Sequence, residues 1–365
     1  LYSLISTIGI EFECEKISSG NLAKVLGGNF RLTHDASIET DASLRANGMF
    51  IFSTPNSSFI PTSNKVTMGT EIITVPFDTE SKDLLSELKM LTSQLVQLGE
   101  PEKSLRAGIH IHINMSYNLN ILKRILELGM YLEDVFFLLA TQGYVFRGMK
   151  VNESAYCRPI TSFGPQCVST RHGTSQVFNA EDLLASTSTE DFWRRYGDTN
   201  VESAPQQRYT PQRYTWLNFY SLLAHGTVEF RTFNKTLSPF KIMAEVEFCQ
   251  RFCEYAIRTG FSEQVERLPI HSVYDNRTRE DIIETFEEFC KNISLSETSH
   301  KILLNILYNS PLVNLPQSYI WTHLERVRHG WWLEDSYKPR KISIDEVHEA
   351  QVIDIHTLRG ERRPN

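Results

Sequence analysis

Three stretches of the sequence set chargeable or metal-capable side chains two residues apart, with apolar residues between them. Glu11, Glu13 and Glu15 alternate with Phe12 and Cys14; His110 and His112 alternate with Ile109, Ile111 and Ile113; Glu229 and Arg231 stand among Val228, Phe230 and Phe233. Residues two apart on an extended strand share a face. Gathered in one sheet, these stretches would make one apolar face and one face of carboxylates, imidazoles and a guanidinium. Glu71, at the head of the β-branched stretch Glu71–Val75, is a fourth contributor. The plain alternative is a sheet whose polar face meets water. Against it stand the residue types, because neighbouring carboxylates repel unless a cation lies between them.

The composition of that face selects the cation. Oxygen-rich sites suit Mg²⁺ or Mn²⁺, whereas His and Cys sets suit zinc. Here carboxylates outnumber imidazoles, and no cysteine stands at a ligating position. Magnesium usually arrives with substrate phosphates, and Arg231 beside Glu229 fits a phosphate oxygen. The chain has no GxxxxGK[ST] loop and no GxGxxG after a strand, so a nucleotide would bind by neither route. It also lacks a GxSxG elbow and an HExxH helix. The stretch FGPQCVSTRHG, residues 163–173, either lines a phosphate through Arg171 or is an ordinary surface loop.

The elements that must carry these residues are legible from periodicity. Strands are predicted at Ile8–Glu15, Glu71–Val75, Gly108–Met115 and Thr227–Phe233. Helices are predicted at Ser81–Leu98, Asn118–Thr141 and Lys241–Arg258, with a short one over residues 16–30. Residues 34–43 read as a loop, and Tyr214–Leu223 is ambiguous between helix and strand. Residues 143–212 read as long loops with one short helix near Asp182–Leu184. After Gly260 only helices follow, at Arg279–Lys291, Glu297–Tyr308 and Gln317–Val327. The expected organisation is one unit over residues 1–260 that carries these charged residues, with an insert at 143–212, a helical extension packed on it over 261–337, and a tail over 338–365.

Bulk properties narrow the partners. With 37 basic and 44 acidic residues the formal charge is −7, which argues against general nucleic-acid binding. The six cysteines form no CxxC pair, a usage that fits a reducing, cytoplasmic location. No uncharged run approaches a membrane span, and the first ten residues lack the basic start of a signal peptide. No nucleic-acid or membrane partner is therefore expected.

Five stretches together resemble the amidoligase family of the glutamine synthetase and glutamate–cysteine ligase superfamily. They are GIEFECE (9–15), HDASI (34–38), GTEIITVPF (69–77), AGIHIHINM (107–115) and RYTWLNFYSLLAHGTVEFRTFNKTL (213–237), in the family's order. The resemblance ends near residue 258. It implies an α+β fold with a curved antiparallel, glutamine-synthetase-like sheet and flanking helices. It also implies an ATP-dependent enzyme that joins an amine to a carboxylate as an amide or isopeptide, through an acyl phosphate, on small-molecule or peptide substrates. The resemblance makes Glu11, Glu13, Glu71, His110 and Glu229 ligands of Mg²⁺ or Mn²⁺. His112 falls beside the nucleotide phosphates, Arg231 on the transferred phosphoryl group, and Asp35 where an amine is deprotonated or bound. Arg213 and Asn218 fall in the nucleotide-binding segment before the last strand. Two rival classes stay open: a guanidino-kinase-like phosphotransferase on the same fold, and a non-catalytic binding protein. The intact charged set argues against the second, since a dead site has no use for buried charges.

Overall fold

A computed structural model of the chain describes residues 5–14, 30–34, 70–74, 76–78, 83–100, 107–141, 159–161, 167–170, 173–176, 179–197, 213, 215–271 and 277–310. Glu15, Asp35, residues 16–29 of the helix predicted over 16–30, the helix Gln317–Val327, the tail and most of the 143–212 insert lie outside them, and Phe30 opens a strand instead.

The described residues form a mixed α+β structure around an antiparallel sheet. Its strands are β1 (Ile5–Cys14), β2 (Phe30–His34), β3 (Thr70–Thr74), β4 (Phe77–Asp78), β5 (Gly108–Met115), β8 (Leu217–Asn218) and β9 (Thr227–Asn234). They run in the order β2-β3-β1-β5-β9-β8, and β4 pairs with the first half of β1 beside β3. Strand β1 thus sits at the centre, with β5 along its whole other edge. A separate hairpin joins β6 (Cys167–Thr170) to β7 (Gly173–Gln176). Of the stretch 163–173, residues 167–170 and 173 fall in these paired strands, and the rest, Arg171 among them, lies outside the described residues.

Alternation sorts the side chains as the periodicity predicts. Ile8, Ile10, Phe12, Ile72, Ile109, Ile111, Ile113, Val228 and Phe230 are all buried on the apolar face. Helices α2 (Leu119–Thr141) and α6 (Pro239–Thr259) cover that face. At the centre of the seam Phe136 lies 5.6 Å from Phe230, 4.6 Å from Trp216 and 5.1 Å from Phe248, ring centre to ring centre. Such aromatic packing adds directional contacts to the burial of apolar area. Helix α1 (Asp83–Gln97) buries Leu84, Leu88, Leu91 and Leu95, one stripe at helical spacing, and packs on α6.

Beyond the sheet, α3 (Ala180–Leu184) and α4 (Thr189–Arg195) lie in the stretch read as loops, and α4 was not expected there. Its signals are local: Ser188 caps it, Glu190 and Asp191 open it, and Arg194 and Arg195 close it. Tyr214–Leu223 resolves into both readings, strand β8 followed at once by α5 (Tyr220–His225). Gly226, at φ +71°, ends α5 in the left-handed region and lets the chain turn straight into β9. Helices α7 (Arg279–Cys290) and α8 (Glu297–Asn309) pack on α2 and α6, with Phe286 and Phe289 against Phe248. Among the described residues no helix is long and apolar enough to cross a membrane.

Candidate active site

Strand register gathers the polar residues. Glu13 pairs with Glu71, Glu11 with His110, and His112 with Glu229, which pairs in turn with Asn218. Paired residues and residues two apart share a face, so one row crosses the sheet from β3 to β8. Between Ile109 and Ile111 the register to β9 shifts by one residue. This bulge lets β9 present Arg231 beside Glu229 and still return Phe233 to the apolar face.

The centre of the row is His110, 5% exposed. Its Nδ1 stands 3.1 Å from Glu11 Oε2 and 3.5 Å from Glu229 Oε1, and its Nε2 stands 3.5 Å from Glu13 Oε1. His112 Nε2 approaches the same pair of carboxylates, 3.2 Å from Glu11 Oε1 and 3.9 Å from Glu229 Oε1. Arg231 NH1 donates to Glu229 Oε1. Asn218 Nδ2 donates to Glu229 Oε2 at 2.6 Å, and the Gly108 amide donates to Glu13 Oε2 at 2.5 Å.

These contacts set the charges. Burial pushes the Glu229 carboxyl up, but Arg231, His112 and His110 outweigh it and hold it at about 2. Burial likewise opposes ionisation of Glu11, and His112 and His110 nonetheless keep it well below the usual carboxylate range. Burial disfavours the His112 imidazolium, yet Glu11 and Glu229 raise its pKa. The site holds its carboxylates charged in a place where charge is costly, which requires compensating cations.

The donor set fits a divalent cation. Glu11, His110 and Glu229 each offer one ligand atom, all within 4.8 Å of one another. Ligands of an octahedral cation at about 2.1 Å stand about 3 Å apart, close to the 3.1 and 3.5 Å separations around His110 Nδ1. Two carboxylates and one imidazole suit Mg²⁺ or Mn²⁺ better than zinc.

Of the other residues singled out from the sequence, Glu13 faces the far nitrogen of His110, and half-buried Glu71 shares its register. Asn218 contacts Glu229 directly, so it orients a carboxylate. Arg213 is half-buried and lies close enough to His225 to help lower the pKa of that histidine, after the larger effect of burial. Two hydroxyls escaped the sequence reading. Thr227 Oγ1 lies 3.0 Å and Ser221 Oγ 3.4 Å from His112 Nδ1, and the two are 2.8 Å apart. Thr227 sits two before Glu229 on the same strand face, which was a readable signal. Ser221 sits on α5 and carried none.

A sequence profile of the family described as "Putative amidoligase enzyme" matches residues 6–253, well over half of the chain. The chain belongs to this amidoligase family. No curated protein sequence matches it. Among solved structures it is similar to a bifunctional glutathione synthetase from Pasteurella multocida, at 13% identity and a TM-score of 0.29, covering 95% of this chain and 51% of that one. The chain thus spans about half the length of that enzyme, and a likeness this weak carries nothing about fold or activity.

Proposed function

We propose that the chain is an ATP-dependent carboxylate–amine ligase that forms an amide or isopeptide bond on a glutamine-synthetase-like sheet. The observation that carries this reading is the convergence of Glu11, His110 and Glu229 with Arg231 on one sheet face of an amidoligase-family chain. Phosphoryl transfer asks a protein for positioning and charge neutralisation more than for covalent help, and this face is built for both. A bound Mg²⁺ or Mn²⁺ would neutralise phosphate charge and polarise the transferred group.

The chain's own residues divide the work. Glu11, His110 and Glu229 would hold the cation, and Glu13 with Glu71 extends the acidic row on the far side of His110. Asn218 fixes one oxygen of Glu229 and leaves the other to Arg231, on the side where a cation would bind. Arg231 offers donors at the edge of that group, where they would stabilise charge developing on the phosphoryl oxygens. His112, held by Thr227 and Ser221, lines the same edge as a partner for phosphates. Arg213 serves the nucleotide, and Asp35 takes the amine proton as the amine attacks the acyl phosphate. Residues 1–260 form the catalytic unit in this reading, and the helices after residue 260 brace it.

The test is to incubate the protein with ATP, Mg²⁺ and pooled amino acids, amines and peptides. The reading expects ADP and phosphate in equal amounts, with a product whose mass is the sum of two partners less one water. A stable phosphorylated product without free phosphate would replace it with the phosphotransferase class. No nucleotide turnover with any pool would favour a binding protein.

A further inference from the structure

Glu133 lies within the apolar run of α2 and is completely buried. Three N–H donors converge on its Oε2: the Ile160 amide at 2.6 Å, the Thr161 amide at 3.2 Å and the Trp216 indole Nε1 at 3.0 Å. The Thr161 hydroxyl donates to its Oε1. One carboxylate thereby ties α2 to two segments distant in sequence. The second of these leads into the site. The Trp216 carbonyl accepts the Arg231 amide at 2.7 Å. The next two residues form β8, where Leu217 pairs with Phe230 and Asn218 pairs with Glu229 and holds its Oε2. One turn before Glu133, Gly129 lets α2 approach closely, since a Cβ there would stand 2.7 Å from Leu217 Cδ2 and 2.9 Å from Ile160 Cδ1.

We infer that Glu133 is a positioning residue of the site: by anchoring Trp216 it sets β8, and through Asn218 the orientation of Glu229. Glu133 touches neither cation nor substrate. The inference rests on the proposal that Glu229 holds a cation. Its alternative is that Glu133 merely closes hydrogen bonds in the core. Burial lifts the Glu133 carboxyl to about 7 against the pull of its donors, so a neutral side chain of the same shape is close to one of its own states. Glu133→Gln supplies that shape. Its carbonyl oxygen can stand where Oε2 stands and accept the two closer N–H groups, those of Ile160 and Trp216, and its amide can donate to the Thr161 hydroxyl, which accepts as well as donates. Glu133→Leu removes every acceptor and strands the indole N–H.

The experiment is a Mn²⁺ titration read by electron paramagnetic resonance with ATP present, on the parent, Glu133→Gln, Glu133→Leu and Trp216→Phe, with folding checked by circular dichroism. Glu133→Gln is expected to bind within about twofold of the parent. Glu133→Leu and Trp216→Phe are expected to bind about tenfold more weakly or worse, the usual cost of losing an outer contact that orients a metal ligand. If Glu133→Leu does not fold, Trp216→Phe decides, since it keeps a ring and loses the N–H. Folded Leu or Phe variants that bind Mn²⁺ like the parent would overturn the inference, as would a Gln variant that loses as much as Leu. A parent that takes up no Mn²⁺ would sink the site reading itself, and the inference with it.

Discussion

Replacing Asn218 with alanine tests how much the site depends on a correctly turned Glu229. Asn218 is 2% exposed, donates to Glu229 Oε2 at 2.6 Å and accepts the Tyr220 amide at 2.9 Å. A hydrogen bond to a charged group contributes about 1.5–3 kcal/mol. At about 1.4 kcal/mol per tenfold, losing it should weaken cation binding about ten- to a hundredfold. The same range follows independently from the known cost of removing groups that orient metal ligands, about 10–100-fold. The freed carboxylate can rotate toward Arg231, already its partner on the other oxygen, and the cation then meets a ligand that must be reoriented. The assay is calorimetric titration of Mn²⁺ with ATP present, alongside near-ultraviolet circular dichroism to confirm tertiary packing. A folded Asn218→Ala protein whose Mn²⁺ affinity lies within about twofold of the parent would refute this account of Glu229.

Three further outcomes are expected. Arg231→Ala should leave nucleotide affinity nearly unchanged and cut turnover about a hundredfold or more, because in the proposed reaction its contact would strengthen as phosphoryl charge develops; steady-state kinetics beside equilibrium nucleotide binding separates the two. Lys235→Met should remove the cation paired with buried Glu100, costing about 3–5 kcal/mol in urea unfolding, with Lys235→Met/Glu100→Leu recovering most of it. Burial lifts the Glu245 carboxyl from 4.5 to about 8, only partly countered by Lys241. A group raised in the folded state stabilises fully below its unfolded pKa and loses that contribution as pH climbs through its folded value. Between pH 5 and pH 9 the parent should therefore lose about 4 kcal/mol relative to Glu245→Gln, nearly all of it below pH 8, and equal losses in both proteins would contradict the assignment.

Much of the site could be read before the fold because strand geometry is strictly periodic. Once Glu11, His110 and Glu229 fall on strands that pair, a period of two leaves them one face to share. The apolar partners Phe12, Ile111 and Phe230 were legible by the same rule, as was the leucine stripe of α1. Other features obey rules that act across long separations. Strand β8 is two residues long and runs at once into α5, too short for any periodic signal, yet it supplies Asn218. The bulge beside Arg231 depends on how β5 and β9 meet. Glu133 reads as an ordinary charged residue on a helix. Its meaning comes from donors 27, 28 and 83 residues away, which nothing in the local sequence announces. Strand β2 lay between a predicted helix and a predicted loop, and the alternation in FRLTH was the signal for it.

The most direct test of the site is diffraction from crystals grown with Mn²⁺ and a non-hydrolysable ATP analogue, using the anomalous signal of manganese. The account predicts a manganese peak at bonding distance, about 2.0–2.3 Å, from Glu11, His110 and Glu229, with nucleotide phosphate oxygens completing its coordination and Arg231 turned to meet them. Nucleotide bound elsewhere, or a manganese peak away from these three residues while they remain paired as described, would contradict it.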